Sequence, residues 1–385
     1  MYKNRQIFSL SELLQRSFLF QNKYVTIRTI SIIEVVFMFN CSKRPWGITA
    51  SGQNVDCYTL ENGVISAEIL TYGGAIRSLR VPNAQGGTTD VVLGFDDIAS
   101  YETQKKFIGA LIGRHANRIE AAEFTLDGKT YPLYVNNGRN HLHGGKIGYD
   151  RRVWEAEVTD SALILSLTSP DGEEGYPGTL RVQVRYSLTD TNGLKLEYSA
   201  VTDQKTVCNL TNHSYFNLAG HASGTIENQQ LKLFASQYTP ANEEWLPDGS
   251  IAPVAGTPMD LRESVRIGEH IDDDFIQIQY AHGYDHNWII DGTPGTLRPA
   301  ASAYCAETGI HMNVLTTTPG MQFYSGNSLN GCPNGKDGAD YFRRCGFCLE
   351  TQYYPNSLCH PNFPQPIISP EKPFHETTIY EFSTD

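Results

Sequence analysis

From about residue 54 onward, apolar and polar residues alternate in short runs separated by Gly, Pro, Asp and Asn. In TLRVQVRYSL the residues Leu180, Val182, Val184, Tyr186 and Leu188 share one face, and Arg181, Gln183, Arg185 and Ser187 the other. GLKLEYSA repeats the pattern, with Leu194, Leu196 and Tyr198 opposed to Lys195, Glu197 and Ser199. This period of two predicts strands with one dry face, and the intervening DTNG (190–193) is turn chemistry. The pair reads as an antiparallel hairpin. Similar runs recur at ALILSL (162–167), QLKLFA (230–235), HNWII (286–290), MQFYSG (321–326) and IYEF (379–382). Many short strands with turn-rich links predict an all-β protein, a large antiparallel β-sandwich, rather than βαβ units. Helices are expected to be few and short, over DDIASYETQKKF (96–107) and LRESVRIGEHI (261–271).

The first fifty residues stand apart. They include a further strand-like region, YVTIRTISIIEVVFMF (24–39), and are expected to form an extension of uncertain structure, with residues 51–385 as the main domain. Their longest apolar run, Val35–Phe39, is far too short to span a membrane. The first twenty residues lack the apolar stretch and cleavage site of a secretory signal.

Composition narrows the function. With 30 Lys+Arg against 42 Asp+Glu, the net charge of -12 disfavours nucleic acid, since no basic cluster offsets it. Eight cysteines in 385 residues are too sparse for a disulfide framework, and Cys345 and Cys348, although they have the C-x-x-C spacing of a redox pair, lack a surrounding βαβ pattern. Buried, reduced thiols are expected. The glycan acceptor patterns at Asn40, Asn209 and Asn212 would matter in a secreted chain; two of them fall where buried, ligand-facing residues are expected, so a cytoplasmic location is the simpler expectation. The 21 tyrosines and 17 phenylalanines favour a ring-shaped ligand.

Groups able to move protons or grip hydroxyls collect in a few segments. GRHANRIE (113–120) carries Asn117 and Arg118, NHLHGG (140–145) carries His141 and His143, and NLTNHSYFNL (209–218) carries His213 among three asparagines. GYDHN (283–287) adds Asp285, MQFYSGN adds Gln322 and GFCLETQ (346–352) adds Glu350. Histidine titrates nearest neutrality. A glutamate in an apolar run has its proton affinity raised by burial. Together they suit an acid/base pair; no nucleophile elbow, phosphate loop or dinucleotide fingerprint competes. Other readings stay open on chemistry alone. His141 and His143 have the spacing of a two-histidine metal site, or a structural role beside the Gly144-Gly145 turn. Glu350 could pair structurally with Arg118, and Asp285 and Arg118 could serve either ligand or fold.

The pieces VVLGF (91–95), IGRHANRI (112–119), LHGG (142–145), SPDGEEGYPG (169–178), NLTNHSYFNLAG (209–220), GYDHN (283–287), GMQFYSGN (320–327) and GFCLETQ (346–352) occur in this order. Over roughly 54–385 the chain resembles the aldose 1-epimerases, the galactose mutarotase family. The resemblance implies a large β-sandwich with a sugar cleft across one sheet, and interconversion of α and β anomers of a free hexose without metal or other cofactor. It implies Glu350 as general base, His213 as general acid and His143 as a second histidine that holds and polarises the sugar. Arg118 and Asp285, with Asn117 and Gln322, are implied to bind hydroxyls, and Tyr215 or Phe216 could offer a flat surface to the ring. The glutamate and His213 are expected to face each other across a gap as wide as a pyranose, with His213 protonated and Glu350 ionised. His115 departs from the apolar or aromatic residue expected at its position. A non-catalytic sugar-binding module and an epimerase of a phosphorylated hexose are the alternatives. The expected partner is a small sugar, with no membrane or nucleic acid, in a monomer or weak homodimer.

Overall fold

In the computed structural model, residues 39–330, 332 and 334–385 are described. The strand-like region predicted over 24–39 lies, but for its last residue, outside them. The alternating patterns pair as their dry faces require. Leu180–Leu188 and Gly193–Thr202 form the predicted hairpin, with Val182 opposite Ala200, Val184 opposite Tyr198 and Tyr186 opposite Leu196. These strands belong to a nine-stranded antiparallel sheet that also contains Ala162–Ser169, Gln230–Leu233 and Phe374–Thr384. IYEF forms part of the last of these. Two five-stranded sheets complete the sandwich, one built from Asn40–Ile48 to Thr88–Asp90 and the other ending on Asp285–Ile289, Gly320–Tyr324 and Cys348–Gln352. One apolar core joins all three sheets, with Leu60 and Leu79, Val184 and Leu196, and Trp288, Phe323 and Leu349 drawn from them in turn. The all-β sandwich is therefore the observed class.

Two boundaries differ from expectation. The strand Asn40–Ile48 pairs with Asn54–Glu61, so the sheet begins ten residues before the position expected for the end of an extension. LRESVRIGEHI is not a helix: Val265–Arg266 adds an edge strand against Gln230–Leu231. A short helix has little stability of its own, and the open sheet edge offered those backbone groups partners. The helix predicted in 96–107 forms over Ile98–Thr103, where Asp97 accepts from the Ser100 amide at 2.7 Å. A second short helix, Ile276–Ala281, was not anticipated.

VVLGF acts as an anchor for a distant loop. The Lys336 ammonium, only 2 % exposed, donates to Asp90 at 2.6 Å and to the Val92 carbonyl at 2.8 Å. The Lys336 amide donates to Gly94 O, and a Cβ on Gly94 would sit 2.5 Å from the Arg77 carbonyl oxygen, which accounts for glycine there. Breaking a buried pair leaves an uncompensated charge. Lys336→Ala is accordingly expected to destabilise the chain by about 3–5 kcal/mol, read as a lower midpoint in urea unfolding at an unchanged slope.

Candidate active site

The strands Asp285–Ile289, Gly320–Tyr324 and Cys348–Gln352 lie side by side, with Asn287 opposite Gln322 and Gln322 opposite Glu350. Because side chains alternate, Trp288, Met321, Phe323 and Leu349 enter the core. The opposite face then carries Asp285, Gln322, Tyr324, Cys348 and Glu350. The polar letters in DHNWI, GMQFY and CLETQ thus share one surface. Segments from elsewhere close over it. Arg118–Ile119 pairs with His141–Leu142, bringing His143 beside Asn117, and Thr211–Asn212 pairs with Leu111–Ile112, placing His213 at the strand end. Gly144 makes this approach possible: its φ is 88°, and a Cβ would lie 1.9 Å from the Gly113 carbonyl oxygen.

The result is a cleft of about 220 Å³ lined by Asn117, Arg118, His143, His213, Asp285 and Glu350, among others. That is below the roughly 300–1,000 Å³ of sites for drug-sized ligands and suits one small ring. A wider depression of about 500 Å³ lies on the nine-stranded sheet around Arg181 and Gln183, but it gathers no histidine and no buried carboxylate.

His213 Nε2 lies 3.7 Å from Glu350 Oε1, and the two residues are 5 % and 2 % exposed. This corrects the expected ring-wide gap. The strand Thr211–Asn212 packs on Cys348–Gln352, which sets the imidazole beside the carboxylate. Glu350 Oε2 is buried without a hydrogen-bond partner among the described residues, a costly state unless a ligand supplies a donor.

Burial raises the proton affinity of Glu350 well above the usual carboxyl range; the neighbouring Asp285 adds to this and Arg118 opposes it. Burial lowers His213 to about 4. The expectation of a protonated His213 beside an ionised Glu350 is therefore opposed by burial, which favours the uncharged arrangement. The two arrangements differ only in which member of the contact holds a shared proton.

His143 stands with its ring centroid 5.4 Å from that of His213. Its Nδ1 accepts the Asn117 backbone N–H at 3.1 Å, and burial keeps its proton affinity well below the ordinary value. A neutral ring that accepts at Nδ1 carries its proton on Nε2, where it can donate. The atoms of His143, His213 and Glu350 lie within 4.8 Å of one another, close enough for a metal. A metal-bound imidazole normally donates from its other nitrogen, whereas this one accepts. The His141/His143 metal reading fails more directly: His141 Nδ1 meets the Tyr134 carbonyl at 2.8 Å and its Nε2 meets the Tyr176 hydroxyl at 2.7 Å. His141 is structural.

Arg118 is 8 % exposed and makes no ion pair among the described residues, so the structural Glu350–Arg118 bridge is absent there. Its Nε donates to Asn137 at 3.0 Å and its guanidinium lies 5.1 Å from the centre of the Trp245 ring. Nη1 reaches Asn117 Oδ1 at 3.5 Å, while Nη2 has no hydrogen-bond partner among the described residues and is available to a ligand. Asp285 accepts from Gln322 Nε2 at 2.7 Å, while Gln322 Oε1 accepts from Gln352 at 3.2 Å. Gln322 thus holds Asp285 through one of its two amide N–H groups, and the cleft lining does not include it. Asn117 contributes its backbone to His143 and its side-chain oxygen to the Arg118 amide at 2.9 Å.

The asparagines of NLTNHSYFNL prove to be loop clamps. Asn209 bonds Ala116 and Tyr353, Asn212 bonds Gly109 and Ser214, and Asn217 bonds Gly224, Cys345 and Gln229. Asn209 and Asn212 are buried but face backbone rather than ligand. Phe216 packs in the core against Phe347 and Tyr380, which corrects its candidacy as a sugar platform; Tyr215 does line the cleft. Phe107, Trp245 and Tyr324 also line it and were not anticipated. Cys345 and Cys348 are free and buried, and Cys348 Sγ lies 3.5 Å from His213 Nδ1. His115 is fully buried, with both ring nitrogens unpartnered among the described residues.

Residues 56–381 match the family model described as aldose 1-epimerase. A Bos taurus protein named galactose mutarotase is 43 % identical over 329 residues, covering 86 % of this chain and 94 % of the relative. An aldose 1-epimerase of Escherichia coli K12 is 35 % identical over 341 residues, covering 87 % and 97 %. Among solved structures, a galactose 1-epimerase from Lactobacillus acidophilus superimposes with a TM-score of 0.78 at 29 % identity, covering 90 % of this chain and 99 % of that one. On the strength of the family match across most of its length and of these full-length relatives, the chain belongs to the aldose 1-epimerase family.

Proposed function

We propose that this protein interconverts the α and β anomers of free hexoses such as galactose and glucose. The observation that carries the reading is the buried Glu350–His213 contact, with one glutamate oxygen left open toward a cleft of single-ring size. The relatives' names, galactose mutarotase and aldose 1-epimerase, point the same way.

In the ring-opening direction Glu350 accepts the proton of the anomeric hydroxyl while His213 donates to the ring oxygen. The C1–O5 bond breaks and C1=O1 forms. Rotation about C1–C2 exposes the other face of the aldehyde, and closure returns both protons. The proton count of the pair never changes; its proton only moves from His213 to Glu350 and back. The uncharged arrangement that burial favours is the one that closes the ring, and the ionic one opens it. His143 donates from Nε2 to a sugar oxygen, Arg118 donates to hydroxyls, and Asp285 accepts from them. Gln322 and Asn117 hold Asp285 and His143 in place. A monomer or weak homodimer in the cytoplasm is part of the same proposal; among the described residues no helix is long and apolar enough to cross a membrane.

Polarimetry on freshly dissolved α-galactose and α-glucose tests the reading: catalytic amounts of protein should speed the approach to the equilibrium rotation. A binding module would leave the rate unchanged, and an enzyme specific for a phosphorylated hexose would act only on that sugar. Because His213 gains its second-site proton only near pH 4, kcat/KM is expected to stay flat from about pH 7 down to about pH 5, rather than fall through the ordinary histidine value near 6.5.

A further inference from the structure

Phe107 lies between the helix Ile98–Thr103 and the strand Leu111–Ile112, with its backbone at a φ of 58°. A bulky residue in the left-handed region is an outlier that persists only where its surroundings hold it. Here they do: Ala110 N donates to Phe107 O at 3.1 Å, Gly109 N to His213 O at 3.0 Å, and His213 N to Ala110 O at 2.8 Å. Asn212 Nδ2 adds a bond to Gly109 O at 2.8 Å. The turn that carries the ring is therefore stitched to the backbone of His213 itself. Its ring centroid lies 4.7 Å from that of His143, edge-on, and 5.8 Å from that of His213. One apolar side chain thus touches both imidazoles at the cleft wall.

We propose that Phe107 is a positioning residue for the acid/base centre: its ring, fixed by a strained turn, keeps water off both imidazoles and fixes their orientation toward the sugar. The proposal rests on the epimerase reading for its consequence in catalysis, but its physical content concerns the imidazoles alone. The other groups facing them are Glu350 and Cys348 from one strand, Tyr324 and Asp285 from its neighbours, Tyr215, Arg118, and the buried His115 and His141. Lys105 and Lys106 line the cleft from the same turn. A change at Phe107 removes none of these groups, whereas it removes the ring that packs on both imidazoles. Removing the ring admits water, and a solvated imidazole regains proton affinity.

The test is Phe107→Gly, because glycine adopts this φ without strain, with Phe107→Leu restoring apolar bulk. Two readouts are taken on the whole chain: NMR titration of the labelled histidine rings, and the pH profile of kcat/KM by polarimetry. In F107G the His213 titration should move up by about one pH unit or more, a tenfold or larger rise in proton affinity, and the acid limb of kcat/KM should rise with it. F107L should stay near wild type in both. If F107G catalyses poorly at every pH while its histidines titrate as in the wild type, Phe107 is merely structural and the proposal falls. If the histidines shift but the wild type shows no mutarotation, the proposal stands and the epimerase reading falls.

Discussion

Glu350→Gln is expected to reduce mutarotation by about 10²–10⁴-fold, the usual contribution of a positioned general base, while galactose still binds. The substitution keeps the shape of the side chain and removes its ability to take the anomeric proton. The strand register is unaffected, since Glu350 pairs with Gln322 through backbone alone, so Arg118, His143 and Asp285 remain to grip the sugar. Polarimetry reads the rate and calorimetric titration the affinity; a wild-type rate in E350Q would sink the assignment of the base. Stability should move the other way. Burial raises the proton affinity of Glu350 in the folded chain. The unfolded carboxyl ionises more readily, so at neutral pH this residue costs stability, and the cost disappears as the pH falls below the ordinary glutamate value. E350Q should therefore melt at a higher temperature than wild type at about pH 7, with the difference vanishing near about pH 4. A gain in stability alongside a loss of rate would separate this residue from one kept for folding.

His213→Asn is expected to lower kcat by a similar factor of about 10²–10⁴. Without the imidazole, nothing at this position can hand a proton to the ring oxygen as the C1–O5 bond breaks. The backbone bonds from His213 to Ala110 and Gly109 do not involve the ring and should persist. In the proposed mechanism Glu350 and His213 pass one proton between them by way of the sugar, so removing either disables the exchange. The double variant should then be scarcely slower than either single one, which is the behaviour of groups that act as a unit. Additive losses would mean that the two residues act in separate steps.

The difference between a legible and an illegible position in this chain is the range of the physics that sets it. Alternation is local. Wherever one face of a strand is buried, the pattern must appear in sequence, and so the sandwich and the hairpin at 180–202 could be read directly. The same locality exposed Glu350, whose charge sits among apolar neighbours where a carboxylate needs a reason. The helix expected over 261–271 shows the limit: its residues were taken up by a sheet edge contributed by Gln230–Leu231, some thirty positions away.

The histidines make the point at a single spacing. His141 and His143 are two residues apart and look alike in sequence, yet one is tied off by Tyr134 and Tyr176 while the other is oriented toward the cleft by the Asn117 backbone. Tyr215 and Phe216 are adjacent, and only the first reaches the cleft. Phe107 and Trp245 carried no signal, because their importance comes from left-handed backbones and from neighbours distant in the chain. By itself, then, the sequence determined the class of fold, the family and the chemical types gathered for proton transfer, all consequences of periodicity and residue chemistry. Only the tertiary structure decided which polar side chains turn toward the cleft, that Glu350 and His213 converge on one another, and how buried they are, because proton affinity and orientation depend on groups that the chain brings together only when it folds.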